Sequence, residues 1–382
     1  MKKQYYIGLD VHKNSIAIAY TYAGSRSEPI YYGTCGGSNL TCERKLRKLA
    51  KDLGVKFQEL QVCYEAGPTG FVLARHLNGL GVECILCSPS KTEGAKDKIK
   101  TDKRDAIKLA KLFKNGDLVE VRIPPAMDEA VRDLCRARTD ATEALSVAKK
   151  QLLSFLLRNG YRWTGKSNWT PSHMNYLRNL KMQSKPHELV LEEYIQAVDA
   201  AHAKVERMKQ QMIAILEEWE WKPVVRSLMG FKGFQEVAAM TLISELGDLR
   251  RFSNPRKLMA FLGLVPSEES SGGKRRQGSI TKCGNGHARW MLIECAQHYR
   301  KKPKVGAALS KRQTGLRQDV KDLSWRAQNR LSARYVKLRM RKKRETKIIV
   351  TIARELVGFL WELQNKCKLP IPQYQEEVLM SS

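Results

Sequence analysis

The first 120 residues alternate short apolar runs with amphipathic helical patterns, and this alternation restricts the possible folds more than any other feature of the sequence. Two runs, Tyr5–Asp10 and Ser15–Tyr22, are joined by a tight polar segment, which is typical of paired strands. Helix, strand, helix, strand and helix patterns follow, in the order LTCERKLRKLAKDLG, FQELQVCYEAG, GFVLARHLNGLG, VECILCSP and AIKLAKLFKNG. Gly54 is well placed to end the first of these helices. The order predicts an α/β domain that closes near residue 120.

Beyond this domain the pattern becomes helical, from about Ala126 to Trp221. One segment repeats apolar or ring-bearing positions at steps of three and four, with Lys209 as a polar break: Val198, His202, Val205, Met212, Leu216 and Trp219. Such a stripe fits a helix hairpin or a coiled-coil seam between subunits. It fits an ordinary core helix equally well.

A third region starts near Pro223, with the helix FQEVAAMTLISELG, the Gly/Ser-rich loop VPSEESSGGKRRQGSITKCGNG and the helix ARWMLIECAQHY. A basic stretch follows, and the last residues form a loose polar tail. We therefore predict four segments: an α/β domain over 1–122, a helical or coiled-coil region over 123–222, a mostly helical domain over 223–368 and a tail over 369–382.

Charge and cysteines limit the possible partners and compartment. The chain has 382 residues and a net charge of +29, which indicates polyanionic partners, most often nucleic acid. Nine scattered cysteines include the pair Cys84 and Cys87 inside an apolar run, but no second pair lies at zinc spacing. The start lacks an apolar signal core, and no apolar stretch is long enough to span a membrane. We expect structural thiols in a soluble cytoplasmic protein.

Four acids lie where strands end or a helix begins. Asp10 ends the first strand, Glu65 ends a later strand, and Asp102 and Asp105 share one face of the helix in KIKTDKRDAIKLAKLF. If the two strands are neighbours, the four carboxylates converge and repel one another unless cations lie among them. Oxygen ligands favour Mg²⁺ or Mn²⁺, and such ions can clamp the oxygens of a phosphodiester. Each acid alone could equally be an ordinary solvated or capping residue.

A second candidate site is the Ser/Gly segment. Ser270 and Ser271 precede two glycines and the cations Lys274, Arg275 and Arg276. A serine hydroxyl attacks a phosphate only if a base or metal takes its proton, while cations stabilise the developing charge. Taken alone, the segment reads as a flexible basic loop.

Aromatic and basic residues alternate in YRWTGKSNW, which contains Arg162 and Trp163, and again in WRAQNRLSARYVKLRMRKKR. Such surfaces can stack unpaired bases and neutralise phosphates. A solvated basic face explains each patch about as well.

Three motifs, YIGLDVHK, YEAGPTG and KTDKRDAIKLA, resemble the ribonuclease-H-like (RuvC-like) domain of the DEDD insertion-sequence transposases, a family also described as bridge-RNA-guided recombinases. The resemblance covers the first domain and most of the C-terminal region, which has a helix-hairpin-helix-like entry. There the turn Gly230-Phe231-Lys232-Gly233 departs from the family by carrying Lys232 in place of a usual glycine. The resemblance assigns the metal-binding role to Asp10, Glu65, Asp102 and Asp105.

The resemblance also implies a chemistry and a set of partners. Family members carry Ser-Gly, basic residues and a K-x-G-N segment, which matches Ser271, with Ser270 as the neighbouring alternative, and Lys282, Gly284 and Asn285. It implies that this serine attacks DNA as a phosphoserine, with Mg²⁺ (or Mn²⁺), in a composite site that a bridge RNA guides. The expected partners are donor and target double-stranded DNA, a structured guide RNA and a homodimer or tetramer, in the bacterial cytosol near the nucleoid. The expected nucleic-acid-binding residues are Lys100, Lys103, Arg104, Arg162, Trp163, Lys274, Arg275, Arg276 and Lys282.

Two other functions use the same residues. A RuvC-like nuclease or junction resolvase would activate water at the acids and leave the serine as part of a loop. A non-catalytic nucleic-acid-binding scaffold would use only the charge.

Overall fold

The computed structural model describes residues 4–88, 101–271, 274–367, 369–370 and 372, with backbone alone for residues 269–271, 274 and 275. Backbone contacts divide the described chain into two compact units, which separate between Pro124 and Pro125. The finer division into domains at residues 222 and 368 stays a prediction.

Over its described residues, the first unit is a six-stranded mixed sheet with three α-helices. Its elements are β1 (Tyr5–Val11), β2 (Ser15–Tyr22), β3 (Ile30–Gly36), α1 (Asn39–Leu53), β4 (Leu60–Glu65), α2 (Val72–Gly79), β5 (Glu83–Cys87), α3 (Asp102–Asn115) and β6 (Glu120–Val121). The strand order is β3-β2-β1-β4-β5-β6. β1 pairs parallel with β4, and β4 pairs parallel with β5, while the other pairs are antiparallel. The predicted α/β domain is therefore present, with two strands, β3 and β6, that the sequence analysis did not predict.

The two faces of this sheet are packed differently. One face carries the main core, in which alternate residues of β1 and β4, such as Leu9 and Tyr64, are fully buried. α1 contributes Leu46 to this core and ends at Gly54, whose left-handed φ of 68° suits glycine. The opposite face is lined by small residues and receives α3.

The packing of α3 against the sheet depends on the absence of side-chain bulk. Gly8 lies in the middle of β1, and a Cβ there would overlap the Ala106 carbonyl oxygen and the Ala110 amide nitrogen of α3. Ala17 and Ala19 of β2 continue this small surface under the same helix turn. Glycine permits such close approach of two backbones. The start of α3 is thereby held near the end of β1.

The second unit is mainly helical. Its elements are α4 (Ala126–Arg158), α5 (Pro171–Asn179), α6 (Lys185–Glu218), α7 (Lys222–Met229), α8 (Glu236–Leu246), α9 (Pro255–Phe261), β7 (Pro266–Ser271), β8 (Lys274–Ile280), α10 (Gly286–Ala296), α11 (Ala307–Gln313), α12 (Gln318–Met340) and α13 (Glu345–Lys366). β7 and β8 form an antiparallel hairpin, so the prediction of a Ser/Gly-rich loop is wrong over these residues. None of the described helices is long and apolar enough to cross a membrane.

α4 and α6 form the predicted helix hairpin within one chain. Phe155 near the end of α4 contacts Tyr194 near the start of α6, which makes the pair antiparallel. Val198 and Val205 of the predicted stripe are buried in their shared core. His202 is exposed, so its inclusion in the apolar stripe was wrong.

Buried polar groups fix the start of α4. The Asp128 carboxylate accepts hydrogen bonds from the indole Nε1 of Trp219, at 2.9 Å, and of Trp221, at 3.1 Å. All three side chains are buried, and both indole donors are satisfied. This contact locks the first turn of α4 to the junction of α6 and α7.

A second buried network holds the segment that follows the β7–β8 hairpin. Glu245 at the end of α8, with a side chain 1% exposed, accepts two hydrogen bonds from the Arg136 guanidinium, at 2.7 and 2.9 Å. The Asn285 amide donates a third to Glu245, at 2.7 Å. The Asn285 carbonyl oxygen also caps α10 by accepting from the amide of Ala288. Asn285 therefore ties the end of the hairpin segment to α4 and α8.

The pKa of Glu245 is lowered by this network. Burial alone would raise the pKa of the carboxyl, but hydrogen bonds from Arg136 and Asn285 and the positive charge of Arg136 outweigh that effect. A depressed pKa means that the ionised form stabilises the fold.

Replacing Gly8 by alanine tests the close packing of α3. We expect Gly8→Ala to lower the free energy of unfolding by at least about 2 kcal/mol, because the added methyl group meets backbone atoms that cannot yield cheaply. Gly79→Ala is the matched control, since a Cβ at this exposed position of the same unit meets nothing within 4 Å. Denaturant unfolding measures both. Equal stability of the two variants would contradict the packing described here.

Replacing Glu245 by glutamine tests the buried network. We expect Glu245→Gln to cost about 2 kcal/mol at pH 7, since a charged hydrogen-bonded group is lost beside Arg136. The deficit relative to wild type should persist above the unfolded glutamate pKa, about 4.3, and shrink as pH falls through the lower folded pKa. Denaturation at several pH values measures it, with the exposed Glu143→Gln as control. A deficit that does not depend on pH would show that charge is not the cause.

Candidate metal centre

Two of the four predicted acids end neighbouring strands. β1 and β4 are parallel, and their last paired residues are Leu9 and Tyr64. Asp10 and Glu65 come next on each strand, so they lie side by side at the carboxyl edge of the sheet. Gly8 and Cys63 face α3, and the two acids, each two residues further along the same strand, lie on that same face of the sheet. The sheet therefore presents two carboxylates to the start of that helix.

The other two acids occupy the first turn of α3. The Thr101 side chain caps this helix by accepting from the amide of Arg104, so Asp102 and Asp105 begin the helix at its positive end. Asp102 is exposed and Asp105 is half-buried. The predicted helix began at Lys98, and residues 89–100, which include Lys98 and Lys100, lie outside the described part of the chain.

His12 links the strand acid to the helix acid. Its Nε2 atom lies 3.2 Å from Oδ2 of Asp10 and 3.7 Å from Oδ1 of Asp102. Ligand atoms of Asp10, His12 and Asp102 all lie within 4.8 Å of one another, which is compatible with a shared cation. The sequence analysis did not select His12, although its position two residues after Asp10 was a signal.

The charge of Asp105 acts on Asp10, which indicates that Asp105 belongs to the same cluster. The pKa of Asp10 is raised, first by burial and then by the negative charges of Asp105 and Asp102, while His12 acts in the opposite direction. Burial is the main physical cause, and repulsion from the two nearby carboxylates adds to it. A divalent cation relieves this repulsion, so the donor set fits such an ion.

Glu65 is located by its effect on a neighbour. It is paired in register with Cys87 of β5, a fully buried thiol on the α3 side of the sheet. Burial, together with the negative charge of Glu65, raises the pKa of Cys87 to about 11. Cys84 and Cys87 are both buried in a strand, as predicted, and they belong to different core clusters. Glu65 itself is exposed at the strand end, where a ligand can reach it.

Cations surround the acids on the surface of α3. Lys103 and Arg104 are exposed beside Asp102, and the Lys103 ammonium lies 5.3 Å from the centre of the Tyr31 ring. The arrangement places positive charge next to the carboxylates. Phosphate-bearing ligands fit such a mixed surface.

The serine site predicted in the second unit lies at the tip of the β7–β8 hairpin. Ser270 pairs with Arg275, and Ser271 pairs with Lys274. The connecting residues 272 and 273 lie outside the described part of the chain. Arg276 is exposed, and Lys282, beyond the hairpin, has a left-handed φ of 56°. The strand pairing thus sets both serines opposite basic residues.

The aromatic segment around Trp163 packs largely on itself. The Trp163 ring lies 5.1 Å from the Tyr176 ring, and its Nε1 donates to the Ser167 carbonyl oxygen. Lys149 lies over the Trp169 ring. Arg162 is exposed, so it remains accessible to a nucleic acid, and the binding role of both residues stays a prediction.

Two family models match this chain. A transposase model of the DEDD type of IS110 covers residues 7–159, which include all four predicted acids. The model described as "Transposase IS116/IS110/IS902 family" covers residues 225–311, which include the serine hairpin.

Curated relatives agree with these matches. The chain is 36% identical over 369 residues to a putative transposase of Sinorhizobium fredii, y4qE, a match that covers 96% of this chain and 90% of the relative. It is 34% identical to the transposase for insertion sequence element IS1533 of Leptospira borgpetersenii, over 68% of this chain and 75% of the relative. A probable family 20 transposase of Pseudomonas aeruginosa is 25% identical over 70% of this chain and 79% of its own length. The chain therefore belongs to the IS116/IS110/IS902 family of insertion-sequence transposases, DEDD enzymes that break and rejoin DNA.

Proposed function

We propose that this transposase cuts and rejoins DNA through a phosphoserine intermediate at Ser271, with assistance from Mg²⁺ held by Asp10, Glu65, Asp102 and Asp105. The metal-binding part of the proposal rests on one observation: ligand atoms of Asp10, His12 and Asp102 lie within 4.8 Å of one another. The family membership carries the DNA part.

The proposed fold of the first unit is ribonuclease-H-like. Its strand order, with an antiparallel β1–β2–β3 meander beside parallel β4 and β5, supports this assignment. The acids lie at the carboxyl edge of adjacent parallel strands and at the start of the helix that covers them. When bound, Mg²⁺ would neutralise charge on a phosphodiester and favour the ionised form of an attacking hydroxyl.

In the proposed serine step, the Ser271 hydroxyl oxygen attacks the phosphorus of a DNA phosphodiester. The Oγ–P bond forms, the bond from phosphorus to one deoxyribose oxygen breaks, the serine proton passes to a base, and the departing oxygen takes up a proton. A hydroxyl end of another strand reverses these changes and restores the serine. The basic residues opposite the serines, Lys274 and Arg275, support the proposal because they can balance charge on the phosphate.

We further propose that a structured guide RNA selects the donor and target duplexes, and that the protein acts as a homodimer or tetramer in the bacterial cytosol. The net charge of +29 supports binding of two polyanions at once. Predicted contacts are Lys103, Arg104, Arg162 and Trp163, together with the hairpin cations and Lys282.

Measurements of metal binding distinguish the proposed ligands, which are the acids, from their neighbour His12. We expect Mg²⁺ at a hundredfold excess over its dissociation constant to stabilise the wild type by about 2.7 kcal/mol, measured as a rise in melting temperature. Asp10→Asn should lose this rise without being less stable in the absence of metal, because a repelling charge is removed. His12→Ala should keep the rise, since oxygen ligands suffice for Mg²⁺.

Asp117→Asn, which changes an acid of the same unit away from the cluster, is the matched control. Loss of Mg²⁺ stabilisation in His12→Ala, or its retention in Asp10→Asn, would contradict the proposed ligand set.

Covalent trapping tests the serine. Wild-type protein incubated with DNA, Mg²⁺ and its co-purified RNA should form a protein–DNA adduct that survives denaturing electrophoresis. We expect Ser271→Ala to abolish the adduct, because no nucleophile remains, while Ser270→Ala and the neighbouring control Ser267→Ala still form it.

Undiminished hydrolysis by Ser271→Ala, without an adduct in any variant, would instead identify a metal-dependent nuclease. Full activity of Asp102→Asn, with only a changed affinity for nucleic acid, would favour a non-catalytic scaffold.

A further inference from the structure

A cationic cleft lies in the second unit, lined by α4, the turn between α7 and α8, and the segment that leads into α11. It encloses about 740 Å³. Among the described residues that line it, none is acidic. Six can carry positive charge: Arg138, Lys232, His298, Lys301, Lys304 and Arg312. The catalytic proposals above use none of these residues.

The cations of this cleft lack carboxylate partners, unlike those on other helices of the same unit. On α12, Arg326 pairs with Glu362, and Arg330 and Arg334 both pair with Glu355. Among the described residues, no ion pair involves a cation that lines the cleft. The protein neutralises its basic helices elsewhere, so the charge left in this concave site is available to an external anion.

The positive groups in the cleft act on one another. The pKa of His298 is lowered by burial and then by the charges of Lys301, Lys232 and Arg312. The pKa of Lys232 is lowered by burial and by Lys301. Glu294 acts on His298 in the opposite direction but does not reverse the shift. Burial is the first cause of both pKa shifts, and the neighbouring positive charges add to it. A concentration of positive charge attracts anions.

The Nε atom of Arg138 has an unmet hydrogen bond within the described part of the chain. This atom is buried, and burial lowers the pKa of the guanidinium despite the favourable field of Glu206. An unmet donor on a charged group is costly to bury. Because Arg138 lines the cleft, an anion bound there can balance the charge of its guanidinium group.

Two other cations are held in fixed positions by backbone carbonyls. The Lys232 ammonium donates to the carbonyl oxygens of Lys301, at 3.3 Å, and Lys302, at 2.8 Å. The Arg312 guanidinium donates to those of Met229, at 2.9 Å, and Ala308, at 3.2 Å. Because these side chains are already ordered, an anion binds them with little further loss of conformational freedom.

The site is longer than one anion. A second cleft of about 700 Å³ shares Gln235, Ala308 and Arg312 with the first. Its further charged lining residues are two cations and one acid: Arg226, Lys311 and Glu236. Arg312 lies where the two meet. A row of cations along a continuous depression fits successive phosphates of a strand better than it fits a single ion.

We propose that this cleft binds the phosphate backbone of duplex DNA without reading its sequence. Cations that neutralise phosphates supply affinity that does not depend on sequence. Recognition of unpaired RNA uses aromatic surfaces for base stacking. Among the described residues that line the cleft, His298 alone has an aromatic ring. The observations therefore favour a duplex backbone over an RNA loop.

The test compares two lysine pairs in the full chain carrying Asp10→Asn, without Mg²⁺, so that strand cleavage plays no part. Lys301→Gln/Lys304→Gln changes exposed residues of the cleft, and Lys204→Gln/Lys347→Gln changes exposed lysines outside it. Fluorescence anisotropy with a labelled duplex of arbitrary sequence measures affinity across salt concentrations. We expect the slope of log affinity against log salt to flatten by about 2 in the cleft variant only, roughly one per lost phosphate contact.

Equal slopes for the two variants would overturn the proposal. So would a flattening seen with a structured RNA probe but absent with the duplex, because the occupant would then be RNA. If circular dichroism shows that the double variant does not fold, Lys304→Gln alone is tested instead, and half of the change in slope is expected. Absence of a serine adduct would leave this outcome unaffected, since binding is measured without cleavage.

Discussion

The contact on which the rest of the first unit depends is the close approach of α3 to β1 over Gly8. A side chain there would push the helix away from the sheet. Since Asp102 and Asp105 begin that helix and Asp10 ends that strand, their meeting is a consequence of backbone packing rather than of any bond between the acids. Neighbouring carboxylates repel, so the core packing holds together a group that would otherwise separate.

The two units differ in how their charged residues are arranged. The first gathers negative groups at a sheet edge and surrounds them with exposed cations. The second pairs most arginines of α12 with glutamates but leaves the cleft beside Arg312 without a carboxylate among its lining residues. A transposase must hold DNA and also activate one of its phosphates. In the functions proposed here these tasks fall to different residues, so strong backbone binding can coexist with a cluster of acids that would repel DNA without a metal.

The sequence predicted the elements that bury an apolar face. β1, β2, β4 and β5 carry alternating or continuous apolar residues, and Gly54 ends α1 as predicted. β3 was missed because it is a half-exposed edge strand, interrupted by Gly33 in a left-handed conformation. β7 and β8 were predicted as a loop because their polar sequence shows no alternation of apolar and polar residues. Only their backbone pairing with each other makes them strands. His12 was not selected because its contact with Asp102 depends on the tertiary position of α3.

Anomalous diffraction from crystals grown with Mn²⁺ tests the central claim most directly. If close packing of α3 builds a metal centre, a manganese peak should lie between the carboxylate of Asp10 and the first turn of α3, in contact with both. A manganese ion bound by other acids would contradict the account. So would a map in which Asp10 and Asp102 share no ion.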